Sequence, residues 1–339
     1  MRIFSKNQSS LNKKTSSKVG VVDGLELLSA SDPFIVSLEE RANMTIACKD
    51  SDYIPKVKDA GKFKRSSNTD VQIMHNGLMV KRGGYYGSWM ERIIEELKGH
   101  HEPQEEKVFF EILKRLKPGS NMIELGSFWS YYSLWFNSAI QDATNICCEP
   151  DPNNIKVGKV NAKLNKSKVT FINSAAGEKP NTFIDFPLES NPGEIKKVPI
   201  IPVDELVKRE KLKKLDLLHM DVQGQELAAI LGAKETIMQH KLRFLIVSTH
   251  HYSISRDPLT HFKCEDLIRS LGGHIIASHT VLESFSGDGL IAASFDKKDS
   301  DFKVDISINS SAHSLYRPYE YDIATLINNY NQYQHTGGE

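Results

Sequence analysis

Three groups of acids and glycines, each placed directly after a short apolar run, carry side chains able to hold or activate a small ligand. They are Glu124-Leu125-Gly126, Glu149, and Asp221-Val-Gln-Gly224-Gln-Glu226. A glycine after a strand lets backbone approach a ligand, whereas an acid beside it would repel a pyrophosphate and suits a cationic or amino-bearing ligand. The turn Gly126-Ser127-Phe-Trp-Ser130 has one glycine where a dinucleotide loop has three, with Ser130 where the third is expected. A tight strand-to-helix turn is the plain alternative. Glu149 stands 23 residues beyond Gly126, close to the span of one strand-helix-strand unit, where a carboxylate can accept both hydroxyls of a ribose. Its alternative role, capping the next helix, is already open to Asp151. In Asn173-Ser174-Ala175-Ala-Gly177 the small residues leave room for a flat ring, with Asn173 or Ser174 able to hydrogen-bond an adenine edge; a simple turn explains them equally. Asp221 and Glu226 bring two carboxylates to one cleft, for a divalent cation, a substrate hydroxyl or a proton, although Glu226 alone reads as a first-turn helix acid. His250 and His251 follow another apolar run and offer a base or metal ligands. The titratable stretch His100-His-Glu-Pro-Gln-Glu-Glu106 opens a helix and is dense enough to wall a cleft, and Asp288 reads as a turn residue.

The elements that must position these groups alternate. A helix over 103–116 leads to strands at 122–125, 145–148, 169–172, 215–220 and 242–248, separated by helices near 130–138, 152–164, from 204, 225–231 and 261–271. A hairpin-like excursion spans 183–186 and 198–201, and two strands without a helix between them, 274–278 and 290–295, close the chain antiparallel. This pattern predicts a mostly parallel sheet with helices on both faces, whose ligands collect beyond the carboxyl ends of the strands. The Ser/Lys-rich residues 1–20 predict a disordered tail, 21–98 an N-terminal cap region, 99–296 the main domain, and 297–339 a C-terminal extension.

Composition narrows the classes. The 339 residues can bury a full core, and Lys+Arg and Asp+Glu balance at 43 each, so nucleic acid is not an expected partner. Four cysteines without a CxxC pair read as reduced core thiols, and no apolar run reaches membrane-spanning length, which together predict a cytoplasmic protein with no membrane span. Oligomeric state is not encoded in any pattern here.

With these residues in view, the chain resembles the FkbM family of S-adenosylmethionine-dependent methyltransferases from about Phe110 to Phe295. The similarity rests on Ile123-Glu-Leu-Gly126, Glu149-Pro-Asp-Pro-Asn153 with Asn161 and Asn165 downstream, Ile201-Pro-Val-Asp-Glu-Leu206, and Leu215-Asp-Leu-Leu-His-Met-Asp-Val-Gln-Gly-Gln-Glu-Leu227. The last departs from the family at His219, usually Lys, and Gln223, usually Glu. The resemblance implies a Rossmann-like class I methyltransferase fold with a seven-stranded sheet. It also implies that Glu124, Gly126 and Ser127 line the methionine part of the cofactor, Glu149 the ribose, and Asn173, Ser174 and Ala175 the adenine. The implied activity is O-methylation of a sugar, glycan or natural-product acceptor. Asp221 then faces the acceptor hydroxyl or a Mg²⁺ ion, with His250 or His251 as base. Two other readings compete: a binding protein that keeps the scaffold without turnover, and an NAD-dependent oxidoreductase, which lacks its glycines here.

Overall fold

The computed structural model describes residues 37–66 and 68–309; the expected tail at 1–20 and most of the C-terminal extension lie outside them. The central sheet has seven strands: β4 (Asn121–Leu125), β5 (Thr144–Glu149), β6 (Thr170–Asn173), β9 (Leu215–Asp221), β10 (Leu242–Thr249), β11 (His274–His279) and β12 (Gly289–Ser294). Their spatial order is β11-β12-β10-β9-β4-β5-β6. Neighbours from β10 to β6 run parallel, and β12 lies antiparallel between β10 and β11. β4, β9, β10 and β12 are buried almost throughout, as expected of strands covered by helices on both faces. The chain reverses direction across the sheet between β4 and β9, so the crevice beyond their carboxyl ends is where this topology receives ligands. This is the mostly parallel, Rossmann-like α/β architecture with an antiparallel closing pair that the alternation of strands and helices predicts.

Around the sheet lie α3 (Pro103–Leu113), α4 (Tyr131–Ala139), α5 (Pro152–Leu164), α6 (Val203–Arg209), α7 (Glu226–Leu231), α8 (Lys234–Met238), α9 (Tyr252–Ser255) and α10 (Thr260–Ser270). Helix α5 starts with Asp151 accepting from Asn153 N at 2.8 Å and with Pro152 in its first turn, a pairing that satisfies one orphan donor and removes another. Asp204 of the Ile201–Leu206 motif receives Thr236 N at 2.7 Å, so that acid serves α8 rather than a ligand. The hairpin β7 (Thr182–Pro187) and β8 (Ile195–Ile200) forms its own two-stranded sheet over one side of the crevice.

Residues 37–98 hold α1 (Leu38–Ala47) and a three-stranded sheet of β1 (Phe63–Ser66), β2 (Thr69–Ile73) and β3 (Met79–Lys81), which the mixed sequence pattern left unassigned, together with α2 (Ser88–Glu96), where the sequence pattern predicts a helix over 89–97. Two asparagines of α5 attach this layer to the domain. Asn161 Oδ1 accepts from Lys81 N at 2.7 Å, and Asn165 accepts from Met79 N at 2.8 Å while donating to Met79 O at 2.7 Å. The same Asn161 donates to Trp129 O at 2.9 Å, so one side chain ties the cap to the turn after β4. Its amide replaces the missing strand neighbour of an edge.

Candidate active site

The turn after β4 takes left-handed backbone at Gly126 (φ 73°), Phe128 (φ 40°) and Ser130 (φ 64°), two of them non-glycine. Gly126 is there for a tertiary reason: a Cβ would lie 1.6 Å from the carbonyl oxygen of Asp221. The backbone that approaches it closely is thus the end of β9. Gly126 N and Ser127 N both donate to Cys148 O of β5, at 2.9 and 3.1 Å. Turn, β5 and β9 therefore meet at one point, and a cavity of about 280 Å³ opens there.

Gly126, Ser127, Glu124, Glu149, Ala175 and Asp221 line that cavity. Asn173, Ser174, His250 and His251 do not. Asn173 is exposed and donates to Glu149 O and Pro150 O, both at 2.8 Å, holding the loop after β5; Ser174 is buried against Cys148. The small residue that faces the cavity is Ala175, with Ala176 beside it. The adenine-edge role expected of Asn173 and Ser174 differs from these placements, because their polar atoms turn back onto the β5 loop.

Glu149 accepts from Phe128 N at 2.9 Å and Asp151 N at 2.9 Å. Burial, reinforced by Glu189 nearby, pushes its carboxyl up to about 8 despite those two donors. Glu124 is fully enclosed, accepts from Ser133 N at 3.1 Å and from the Ser133 hydroxyl, and is pushed up by burial to about 7. Asp221 behaves oppositely. Burial would raise it, but the hydrogen bond and charge of His250, whose Nε2 is 3.1 Å away, hold it below the usual carboxylate range.

His250 sits among three carboxylates: Asp221, Glu226 at 2.5 Å from its Nδ1, and Asp288 at 3.7 Å from its Nε2. Burial disfavours its charge, yet Asp288 and Glu226 hold it protonated well above the ordinary range. An imidazolium has no lone pair to accept a proton, which departs from the expected base role. His251 accepts from Ser253 N at 3.4 Å as N-cap of α9, away from the lining. Glu226, read as a helix acid, is buried and receives Gly224 N at 2.8 Å as well as His250.

The donors at Asp221 do not fit Mg²⁺. Its Oδ1 is already engaged by His250 at 3.1 Å and Gln223 Nε2 at 3.2 Å, and an imidazolium beside it repels a second cation. Among the described residues, the group whose ligand atoms come within 4.8 Å of one another is His75, His100 and Glu106. The two imidazoles there stack at 4.2 Å and 16°, so their in-plane lone pairs run side by side rather than toward one point.

The remaining wall comes from the titratable 100–106 stretch, which the sequence offered as the wall of a cleft, and from the cap. His101, Glu102 and Glu105 line the inner end with Tyr132 and His219. His219 Nε2 lies 2.7 Å from Glu105, which also accepts from Ser248 at 2.7 Å, and Tyr132 donates to Glu102 at 2.9 Å. Burial pushes Glu102 up to about 8 against the pull of His101, 3.3 Å away. Tyr85 stacks on Trp129 at 4.3 Å and 5°, closing the cavity from the cap side. The repeated His/Glu spacing at 100–106 was the signal available for this wall; nothing in the sequence pairs it with His219.

Residues 117–275 match the model of the methyltransferase FkbM domain. The chain carries an FkbM methyltransferase domain. Outside the FkbM match, no curated protein matches the sequence. Solved structures similar to the chain include a precorrin-6y C5,15-methyltransferase from Geobacter metallireducens GS-15, 14% identical over 55% of this chain and 87% of that one, TM-score 0.35. Another is magnesium protoporphyrin IX methyltransferase from Synechocystis PCC 6803 with bound S-adenosylmethionine, 12% identical over 56% and 76%, TM-score 0.37. A third is M. capricolum TrmK with S-adenosylhomocysteine, 11% identical over 68% and 85%, TM-score 0.34. The FkbM domain is that of a methyltransferase, and no described helix of this chain is long and apolar enough to cross a membrane.

Proposed function

We propose that the FkbM domain binds S-adenosylmethionine in the 280 Å³ cavity and transfers its methyl group to a hydroxyl oxygen of a small or glycan acceptor. The observation that carries this is the convergence of Gly126, Glu149, Ala175 and Asp221 on one cavity at the switch point of the sheet. The chain's groups suit the cofactor. Glu149, held in place by two backbone donors and close to neutral, is fitted to hydrogen-bond a ribose diol, and Ala175, Ala176, Pro150 and Phe186 offer an apolar slot for a flat base. Bound there, the cofactor supplies an electrophilic methyl on a cationic sulfur. The task left to the protein is to align the acceptor and take its proton.

Asp221 is the group for that task in this reading. It is ionised, part-exposed to the cavity, and fixed by His250. His250 acts as a positive anchor that keeps Asp221 oriented and charged, while Glu226 orients the imidazole from the other side. The reading is tested by following S-adenosylhomocysteine release with labelled cofactor against a panel of hydroxylated acceptors. Binding of S-adenosylhomocysteine without turnover on any acceptor would favour the non-catalytic scaffold instead. Undiminished rates in excess EDTA are expected, as Asp221 offers no vacant cation seat.

A further inference from the structure

The charge of the cavity says more than its shape. Six carboxylates line it: Glu102, Glu105, Glu124, Glu149, Glu189 and Asp221. Against them stand two lining imidazoles, His101 and His219, and among the described residues no lysine or arginine reaches the wall. The nearby Arg41 donates to Ser286 O at 2.7 Å and lies over Trp89. Three of the acids have an imidazole partner: Glu102 has His101 at 3.3 Å, Glu105 has His219 at 2.7 Å, and Asp221 has His250 at 3.1 Å. Glu124 and Glu149 are satisfied by hydroxyl and backbone donors.

Glu189 differs from all of these. It follows the β7 strand of the hairpin, and its one polar contact among the described residues is Asn154 Nδ2 at 3.4 Å. Burial, together with Asp221 and Asp151, pushes it up to about 7 against the weaker pull of Asn154 and the charge of His250. It stands in the wall shared by the main cavity and a second one of about 210 Å³, and the other shared residues are Tyr86 and Phe128. Those two rings meet edge-to-face at 5.3 Å and 82°. A carboxylate that shares a cavity wall with aromatic rings can receive an ammonium group, by direct charge attraction and by the negative ring faces. The cofactor of the proposed reaction brings a net single positive charge, which leaves the wall still acidic.

We propose that the acceptor is an amino alcohol or amino sugar in its protonated form, with its ammonium group received by Glu189 in the wall it shares with Tyr86 and Phe128 while its hydroxyl faces Asp221. This rests on the methyl-transfer reading for the identity of the nucleophile, but the cation preference stands on the wall alone. Phosphorylated or carboxylated acceptors are disfavoured, since among the described residues no lysine or arginine lines the wall to meet them and the carboxylates of Asp221 and Glu189 repel them.

Calorimetric titration of the full chain with three probes of one size tests this: aminocyclohexanol, cyclohexanediol and hydroxycyclohexanecarboxylate, each with and without saturating S-adenosylhomocysteine. The amino alcohol should bind about tenfold more tightly than the diol, and the hydroxy acid most weakly. In Glu189→Gln the preference should shrink to within about twofold, with unchanged thermal unfolding showing that the variant folds. Equal affinities across the three probes, no binding of any of them, or a preference that survives Glu189→Gln would each overturn the proposal. Retained preference for the amino alcohol in a wild-type protein that does not bind S-adenosylhomocysteine would instead sink the cofactor reading and leave this one standing.

Discussion

Two strand ends, alike in chemistry though different in role, hold the acids that matter most. At the end of β5, Glu149 is surrounded by backbone donors and other acids, and burial drives it toward its neutral form at about 8. At the end of β9, Asp221 is part-exposed to the cavity and faces His250, which holds it below the usual carboxylate range. Burial acts on both in the same direction; the neighbouring charge decides the outcome. A nearly neutral carboxyl can share hydrogen bonds with hydroxyls without the cost of an isolated charge, whereas an anchored carboxylate can accept a proton or steady positive charge. One fold thus places two chemically similar groups on one cavity and gives them different work.

The sharpest way to break this contrast is to separate the two ends. Gly126→Ala puts a methyl group into the Asp221 carbonyl at a positive φ. It should cost about 3 kcal/mol or more of stability and abolish S-adenosylhomocysteine binding, as seen by thermal unfolding and calorimetry. Preserved folding and binding would mean that the turn does not join the strands as described. Next in size is Asp221→Asn, which keeps the shape and removes the charge. Turnover should fall about 100-fold or more, while affinity for S-adenosylhomocysteine changes little. Glu149→Gln should show the converse, a loss of about tenfold in cofactor affinity with a smaller change in the rate at saturation.

The pH dependence of the free protein offers a subtler probe. Glu149 has a folded value of about 8 against an ordinary 4.5, so its contribution to stability is fully present below 4.5 and is lost as pH rises through 8. Glu149→Gln should therefore unfold at a higher temperature than wild type at pH 8, with the gap closing toward pH 5; a gap that widens on acidification would show the sign to be wrong. The smallest effect is expected from His251→Ala. It removes a cap on α9 outside the cavity, worth about 0.5–1 kcal/mol, and should leave turnover within about twofold, whereas a rate collapse would return His251 to the reaction.

The sheet and most of its helices were legible because apolar runs, their periods and their caps are local properties. Helix α5 begins and ends where Pro152 and Leu164 place it in the linear pattern, and the closing pair β11 and β12 is antiparallel as the missing helix implied. The cap sheet was not legible, because β1 to β3 are short and are secured by asparagines about 80 residues away. Within the site, Gly126, Glu149 and Asp221 could be read from position after a strand. Glu102 and Glu105 fell in the stretch dense enough to wall a cleft, without the sequence saying which one; Glu189 could not be read at all, since its approach to the cavity depends on how the β7–β8 hairpin packs.

The sequence by itself determined the order of strands and helices and the acid at each strand end, since those follow from neighbours along the chain. Only the tertiary structure decided what each acid is. It set Glu149 among donors and acids, brought His250 between Asp221 and Glu226, and left Glu189 facing the cavity with Asn154 as its hydrogen-bond partner among the described residues. Protonation depends on desolvation and on charges brought close through space, and neither is a property of a residue's place in the chain.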